Sequence, residues 1–183
     1  MRKRFFPMAK TCHFNGYSFP TLWANPWYKA LEGKTVLIVH PFEKTIRRQY
    51  ENREHLFPAG RELPSFELKV FRPFVTFGGH QDDCPFPTWL AALDHMIEGI
   101  SNIRFDVAII GAGAYGMSLA AAVKRMGKIG LHMGGATQLL FGIKGKRWDN
   151  YASVRHLYNS FWCRPAPEET PGNSTNIECG GYW

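Results

Sequence analysis

Gly111, Gly113 and Gly116 fall in the spacing G-x-G-x-x-G, directly between a strand-like run at residues 106–110, apolar after Asp106, and a helix-forming stretch at residues 117–126. That context gives the spacing its chemistry. The first glycine permits a tight turn, the second lets a ligand approach the main chain, and the third lets the helix lie close on the sheet. Unpaired amides at the helix start, beside Tyr115, then attract phosphate. Close helix packing alone is the competing use of the same small residues. A second pair, Gly134 and Gly135, follows the next apolar run and is succeeded by Thr137 and Gln138. It offers further amides and two polar side chains for phosphate, or forms a plain strand-to-helix turn.

Other reactive side chains cluster around these turns. His40, followed by Pro41, and His132 stand at the ends of apolar runs, where an imidazole donates to a phosphate, acts as a base, or is a satisfied structural residue. Asp149 beside Trp148 is a candidate general base or donor contact, with a structural cap or an ion pair to Arg147 as its plainer role. Lys144, Lys146 and Arg147 form a cluster that either offsets diphosphate charge or is a solvated basic loop. Asp82 and Asp83, in a glycine-containing loop with His80 nearby, are candidate oxygen ligands for Mg²⁺ or Mn²⁺, although adjacent loop acids are commonly just solvated. A dinucleotide fold places an acid about 20 residues beyond its glycines to hold the ribose. Here residues 131–136 read Leu-His-Met-Gly-Gly-Ala, so no NAD is expected.

The elements that must position these residues follow from hydrophobic periodicity. Residues 36–39 are an unbroken β-branched and leucine run, as expected of a strand covered on both faces in a parallel sheet. A helix is predicted from Phe42 to Phe57, an alternating strand over 66–71, and a Pro- and Gly-rich loop over 73–87. Further helices are predicted from Thr88 and over 117–126, strands over 106–110 and 129–132, and one or two helical turns over 136–141. Alternating strands and helices argue for a Rossmann-like doubly wound α/β fold with a parallel sheet of about four strands in order 2-1-3-4. In that order a crevice opens between the C-terminal ends of strands one and three. Residues 1–33 read as an irregular aromatic and Pro-rich arm, 34–143 as the nucleotide-binding core, and 144–183 as a basic loop and a C-terminal strap with little order of its own over 164–176.

Composition bounds the function classes. The 183 residues, with 22 Lys and Arg against 15 Asp and Glu for a net +7, suit one domain that tolerates an anionic partner. The excess is concentrated in Arg2, Lys3, Arg4 and Lys10 and in the 144–147 cluster. No nucleic-acid reader motif accompanies it, so no specific nucleic acid is expected. Pro7 and Lys10 interrupt what would be a signal-peptide core, and the sequence has no apolar run of spanning length, so the chain reads as cytoplasmic. Cys12, Cys84, Cys163 and Cys179 show no C-x-x-C spacing and are expected to be reduced thiols.

The residues also carry a resemblance. Residues 36–42 with Thr45, Ile46, Gln49 and Tyr50, then 105–116, 132–138, 141–149 and Tyr182-Trp183, resemble the C-terminal part of uncharacterised proteins from surface-polysaccharide gene clusters. Those proteins resemble GT-D-fold glycosyltransferases. The similarity runs from about Trp27 onward, with Gly-Ala-Thr-Gln at 135–138 and Gly-Lys-Arg-Trp-Asp at 145–149 its most specific parts. It implies a nucleotide-sugar-dependent glycosyltransferase in cell-surface polysaccharide biosynthesis, with the donor diphosphate in the crevice, Mn²⁺ or Mg²⁺ as cofactor, and a hydroxyl acceptor. Such enzymes carry an Asp-x-Glu metal motif in an earlier segment, and neither Asp-x-Glu nor Asp-x-Asp occurs in this sequence. A non-catalytic nucleotide-binding or partner-docking module is the alternative expectation.

Overall fold

The computed structural model describes residues 19–76, 84–172, 174–176 and 178–183. Asp82 and Asp83, Cys12 and the basic residues of the first ten positions lie outside the described residues. The centre is a parallel sheet of β1 (Thr35–Val39), β2 (Glu67–Phe71), β3 (Val107–Ile110) and β4 (Ile129–His132), in the order β2-β1-β3-β4. Val36 lies opposite both Leu68 and Val107, and Val107 lies opposite Ile129, so the strands run in step. The doubly wound order expected from the apolar runs is the order observed.

Strand periodicity divides the core into two layers, because successive side chains point to opposite faces. Val36, Ile38, Val107 and Ile109 face a cluster with α1 (Glu43–Glu51), whose inward Ile46 is fully buried. Leu37, Val39, Ala108 and Ile110 face the other way, toward α2 (Trp89–Ser101) and α3 (Gly116–Arg125), represented by Met96, Ile100, Leu119 and Val123. Thr88 starts α2 as the sequence suggests, its hydroxyl accepting from the Ala91 amide at 3.1 Å. The predicted helix over 42–57 is shorter than expected. It ends at Glu51, and a 3₁₀ turn at Arg53–His55 redirects the chain so that Leu56 and Phe57 enter the core.

The flanking segments belong to the same core. Within the predicted N-terminal arm, Tyr28 and Leu31 are buried, and the Tyr28 hydroxyl donates to the Arg61 carbonyl at 2.5 Å. Beyond residue 143, Trp148 and Trp162 join Val36 and Ile38, with Val154 on α4 (Ala152–Arg155) and Leu157 beside them. The Trp162 indole donates to the Leu56 carbonyl at 2.7 Å. The C-terminal strap, expected to have little order of its own, is anchored on the core at Glu169. Glu169, in the 3₁₀ turn Pro167–Glu169, is buried against the start of α1. Its carboxylate accepts from the amides of Lys44 at 2.6 Å and Thr45 at 3.1 Å, and from the Thr45 hydroxyl. Phe42, at the N-cap position of α1, has no capping side chain, so a residue far along the chain supplies the cap.

Candidate functional site

Parallel strands deliver their C-terminal ends to one edge of the sheet, and in this molecule all four ends meet there at a cavity of about 590 Å³. β1 contributes His40, Pro41 and Phe42; β3 contributes the Gly111–Tyr115 stretch; β4 contributes His132, Gly134 and Gly135. Residues 73–76, after β2, form a further wall, and Tyr182 and Trp183 complete the lining. Ladder bonds fix these turns: the Gly111 amide donates to Val39 O at 2.8 Å, His40 N–H to Phe71 O at 3.2 Å, and Met133 N–H to Ile110 O at 3.0 Å.

The glycine turns line this cavity. Gly113 (φ +50°) opens a 3₁₀ turn, Gly113–Tyr115, that runs into α3, and Gly134 (φ +56°) opens another, Gly134–Phe141. The positive φ values favour glycine, because an L side chain is strained there. Among the described residues, the N–H groups of Ala112, Gly113 and Ala114, and those of Gly134 and Gly135, have no hydrogen-bond partner. Both sets lie in segments that line the cavity. By contrast, the amides at the start of α1, the other natural anion site, already hold the Glu169 carboxylate. The remaining donors therefore belong to the β3 and β4 turns.

The other glycines of these turns have packing work instead. A Cβ on Gly111 would lie 2.6 Å from the His40 ring, 2.7 Å from Gly134 O and 2.8 Å from the Thr137 hydroxyl. A Cβ on Gly116 would lie 2.3 Å from two atoms of the His132 ring, and one on Gly135 2.4 Å from Tyr182. Gly116 thus does not line the cavity, and its role is to admit the His132 ring.

The two imidazoles differ in detail. His40 is buried, and its Nδ1 accepts the Phe42 amide hydrogen at 3.1 Å, which assigns the remaining ring proton to Nε2. Burial pulls its pKa down to about 3, so at neutral pH the ring is an uncharged donor. His132 is half-buried; burial lowers its pKa, opposed in part by the Ile110 backbone, and its Nδ1 has no hydrogen-bond partner. Tyr115 is held by a 2.8 Å hydrogen bond between its hydroxyl and Thr76, and by parallel stacking on Trp89 at 5.0 Å.

Several residues singled out by sequence sit elsewhere. Thr137 and Gln138 are fully buried and absent from the cavity wall. The Gln138 amide donates to Ile143 O at 3.2 Å and Tyr182 O at 3.4 Å, so it ties down the loop that follows. Asp149 also lies off the wall, accepting from Tyr158 at 3.2 Å and pairing with Arg164 at 2.6 Å. That partner is Arg164, where the sequence suggested Arg147. Burial, with Asp149 second, pushes the Tyr158 hydroxyl up to about 12. The basic cluster is dispersed by its own contacts. Lys144 lies over the Tyr158 ring, and Lys146 reaches the Cys179 carbonyl at 3.3 Å. Arg147 alone of the three approaches the site. Its guanidinium lies over both the Trp148 and Tyr182 rings, 5.0 and 4.9 Å from their centres, and close to Gly135.

The wall residues that sequence reasoning missed are mainly Phe74, Val75, Thr76, Tyr182 and Trp183. The first three had a usable signal, since a parallel sheet brings the loop after β2 to the same edge as the other strand ends. Tyr182 and Trp183 had none locally. They are placed by distant main-chain bonds, Lys146 N–H to Trp183 O at 3.0 Å and Arg147 N–H to Gly181 O at 2.9 Å. Among the described residues no group of three His, Cys, Asp or Glu side chains is placed to hold a metal ion. Likewise, no described helix is long and apolar enough to cross a membrane. Neither a protein-family model, a curated protein nor a solved structure matches the chain.

Proposed function

We propose that the cavity binds a nucleotide-sugar donor and that the chain transfers the sugar to a hydroxyl acceptor, as the GT-D-like resemblance implies, in cell-surface polysaccharide biosynthesis. The observation that carries this reading is that the unpartnered amides of Ala112, Gly113 and Ala114 and of Gly134 and Gly135 belong to two turns that line one cavity. A diphosphate fits such a donor set, because its oxygens accept several hydrogen bonds and the aligned backbone dipoles favour negative charge. His40 adds a neutral Nε2–H donor, and Arg147 supplies positive charge close to Gly135.

In the transfer, the bond between the sugar's anomeric carbon and the diphosphate oxygen breaks, and one to the acceptor oxygen forms. Charge grows on the departing diphosphate, where the amides and Arg147 offset it. The acceptor proton goes to His132, whose lowered pKa keeps it unprotonated, the state a base requires. Asp149 has no part in this scheme, because Arg164 and Tyr158 hold it elsewhere. The divalent cation of the GT-D-like reading rests on Asp82 and Asp83. Titrating Mn²⁺ against the wild type and the Asp82→Ala/Asp83→Ala double variant reads that contribution directly.

The test of the main reading is calorimetric titration with UDP- and GDP-sugars, followed by an assay for released UDP or GDP. Gly113→Val is the informative variant. A Cβ at Gly113 meets no atom within 4 Å, but its φ of +50° strains any L side chain and a β-branched one most, so Gly113→Val should reshape the turn and withdraw its amides, with a melt reading the accompanying loss of stability. Expected are binding by the wild type and its loss in Gly113→Val. The place of Asp149 off the cavity wall, paired with Arg164, favours a second reading, a non-catalytic nucleotide-binding module. Binding without diphosphate release supports that module over the transferase.

A further inference from the structure

We infer that Trp183, seated edge-on against Tyr182, forms the ring-stacking subsite of the cavity, which takes the planar base of a nucleoside diphosphate, and that Glu169 is its positioning residue. The inference rests on the diphosphate reading above, because it needs the phosphates on the glycine turns. Tyr182 touches that anion end directly. Its ring packs so closely on Gly135 that a Cβ there would meet Tyr182 Cε1 at 2.4 Å. The aromatic wall therefore adjoins a donor amide, the juxtaposition needed by a ligand that joins a planar ring to a diphosphate.

Trp183 is a partly exposed member of the same wall, and its polar atom is already committed. The indole N–H donates to the Glu169 carbonyl at 3.0 Å. What Trp183 offers a ligand is its ring, which favours stacking over hydrogen-bond recognition. The ring meets Phe42 edge-on at 6.1 Å and Tyr182 at 5.9 Å, so it continues the aromatic wall from the end of β1. Tyr115, within the glycine turn itself, is less suited. It is buried, stacked on Trp89 and hydrogen-bonded to Thr76, so it is spent within the fold.

Glu169 joins this wall to the sheet. Its side chain caps α1 through Lys44 and Thr45, while its backbone carbonyl holds the Trp183 indole. Thr45 reinforces the joint by accepting from the Ala166 amide at 2.9 Å. The position of Trp183 is thus referred to the start of α1, which immediately follows the His40–Phe42 side of the cavity.

Titration calorimetry of the full chain with inorganic pyrophosphate and, separately, with UDP and GDP tests the inference. In the wild type the nucleoside diphosphates should bind more tightly than pyrophosphate. Trp183→Ala should weaken UDP and GDP by on the order of tenfold, a typical loss for one stacked base, and leave pyrophosphate unchanged. Glu169→Ala should produce the same selective loss, with partial rescue in Glu169→Gln, which keeps an acceptor oxygen. Trp183→Phe guards against misfolding, since it preserves a ring against Phe42. In that variant the part of the nucleotide-induced fluorescence quenching due to Trp183 should disappear. Equal losses for pyrophosphate and nucleotide in Trp183→Ala, an unchanged nucleotide affinity, or unaltered quenching in Trp183→Phe would overturn the subsite. Failure of the wild type to bind either pyrophosphate or nucleotide instead overturns the diphosphate reading beneath it.

Discussion

Alanine at Gly111 and alanine at Gly113 should have different consequences, although the two positions share one turn. A Cβ at Gly111 meets obstacles on several sides: the His40 ring at 2.6 Å, Gly134 O at 2.7 Å and the Thr137 hydroxyl at 2.8 Å. One of these is backbone at the end of β4, and His40 and Thr137 are buried, so none can swing aside cheaply. Overpacking of this kind costs about 1–3 kcal/mol, and the backbone contact places Gly111→Ala at about 3 kcal/mol. At Gly113 no atom lies within 4 Å, and the penalty is the left-handed backbone alone, about 1–2 kcal/mol. For a chain of this size each kcal/mol lowers Tm by roughly 2–4 °C, so Gly111→Ala should melt roughly 6–12 °C below wild type and Gly113→Ala roughly 2–8 °C below. Urea unfolding followed by far-UV circular dichroism, with the slope checked for constancy, measures the same difference in free energy. A Gly111→Ala protein within about 0.5 kcal/mol of wild type, or a smaller loss of stability there than at Gly113, would refute the steric reasoning.

Gly116→Ala should act mainly on ligand binding, because its Cβ would displace the half-buried His132 ring at the cavity; pyrophosphate and nucleotide titrations compared with a melt separate the two effects. Glu169→Ala should destabilise by about 1–2 kcal/mol, the usual worth of a helix cap, as read by urea unfolding. Gln49→Ala strands buried carbonyls, since its amide donates to Phe141 O at 3.1 Å, Gly142 O at 3.3 Å and Phe161 O at 2.9 Å; a loss of about 2 kcal/mol or more is expected by the same method. Acid should destabilise the fold through His40. Its folded pKa is about 3 against 6.5 unfolded, so the unfolded state takes up the proton first. This contribution is complete above pH 6.5, falls as pH drops below that value, and levels off near pH 3. At ~1.4 kcal/mol per pH unit it reaches an upper limit of roughly 5 kcal/mol. Urea midpoints between pH 7 and 4.5 should fall less steeply in His40→Asn, and an identical slope would contradict the assignment.

The doubly wound sheet was legible because its signal is local. Residues 36–39 and 107–110 are apolar at every position, which suits strands buried on both faces, and both are flanked by recognisable helix starts. The strand-end sites followed from topology: His40, Gly113, Tyr115, His132, Gly134 and Gly135 all line the cavity. Polar residue type was a weaker guide. Thr137 and Gln138 resemble phosphate contacts in sequence, yet the 3₁₀ turn that carries them directs both into the interior. Asp149 and the lysines were drawn to other partners, which spacing along the chain cannot reveal.

The sequence by itself determined the parallel α/β architecture, its strand order and the edge at which a ligand could bind, because strand burial, helix period and glycine turns are encoded over a few neighbouring residues. Tertiary structure alone decided how that edge is completed. Glu169 reaches back more than a hundred positions to cap α1, and Trp183 hangs from its carbonyl into the cavity. Such contacts depend on which backbone donors the sheet leaves unpaired and which carboxylate the returning chain brings within reach. That is a matter of three-dimensional proximity, and no local pattern records it.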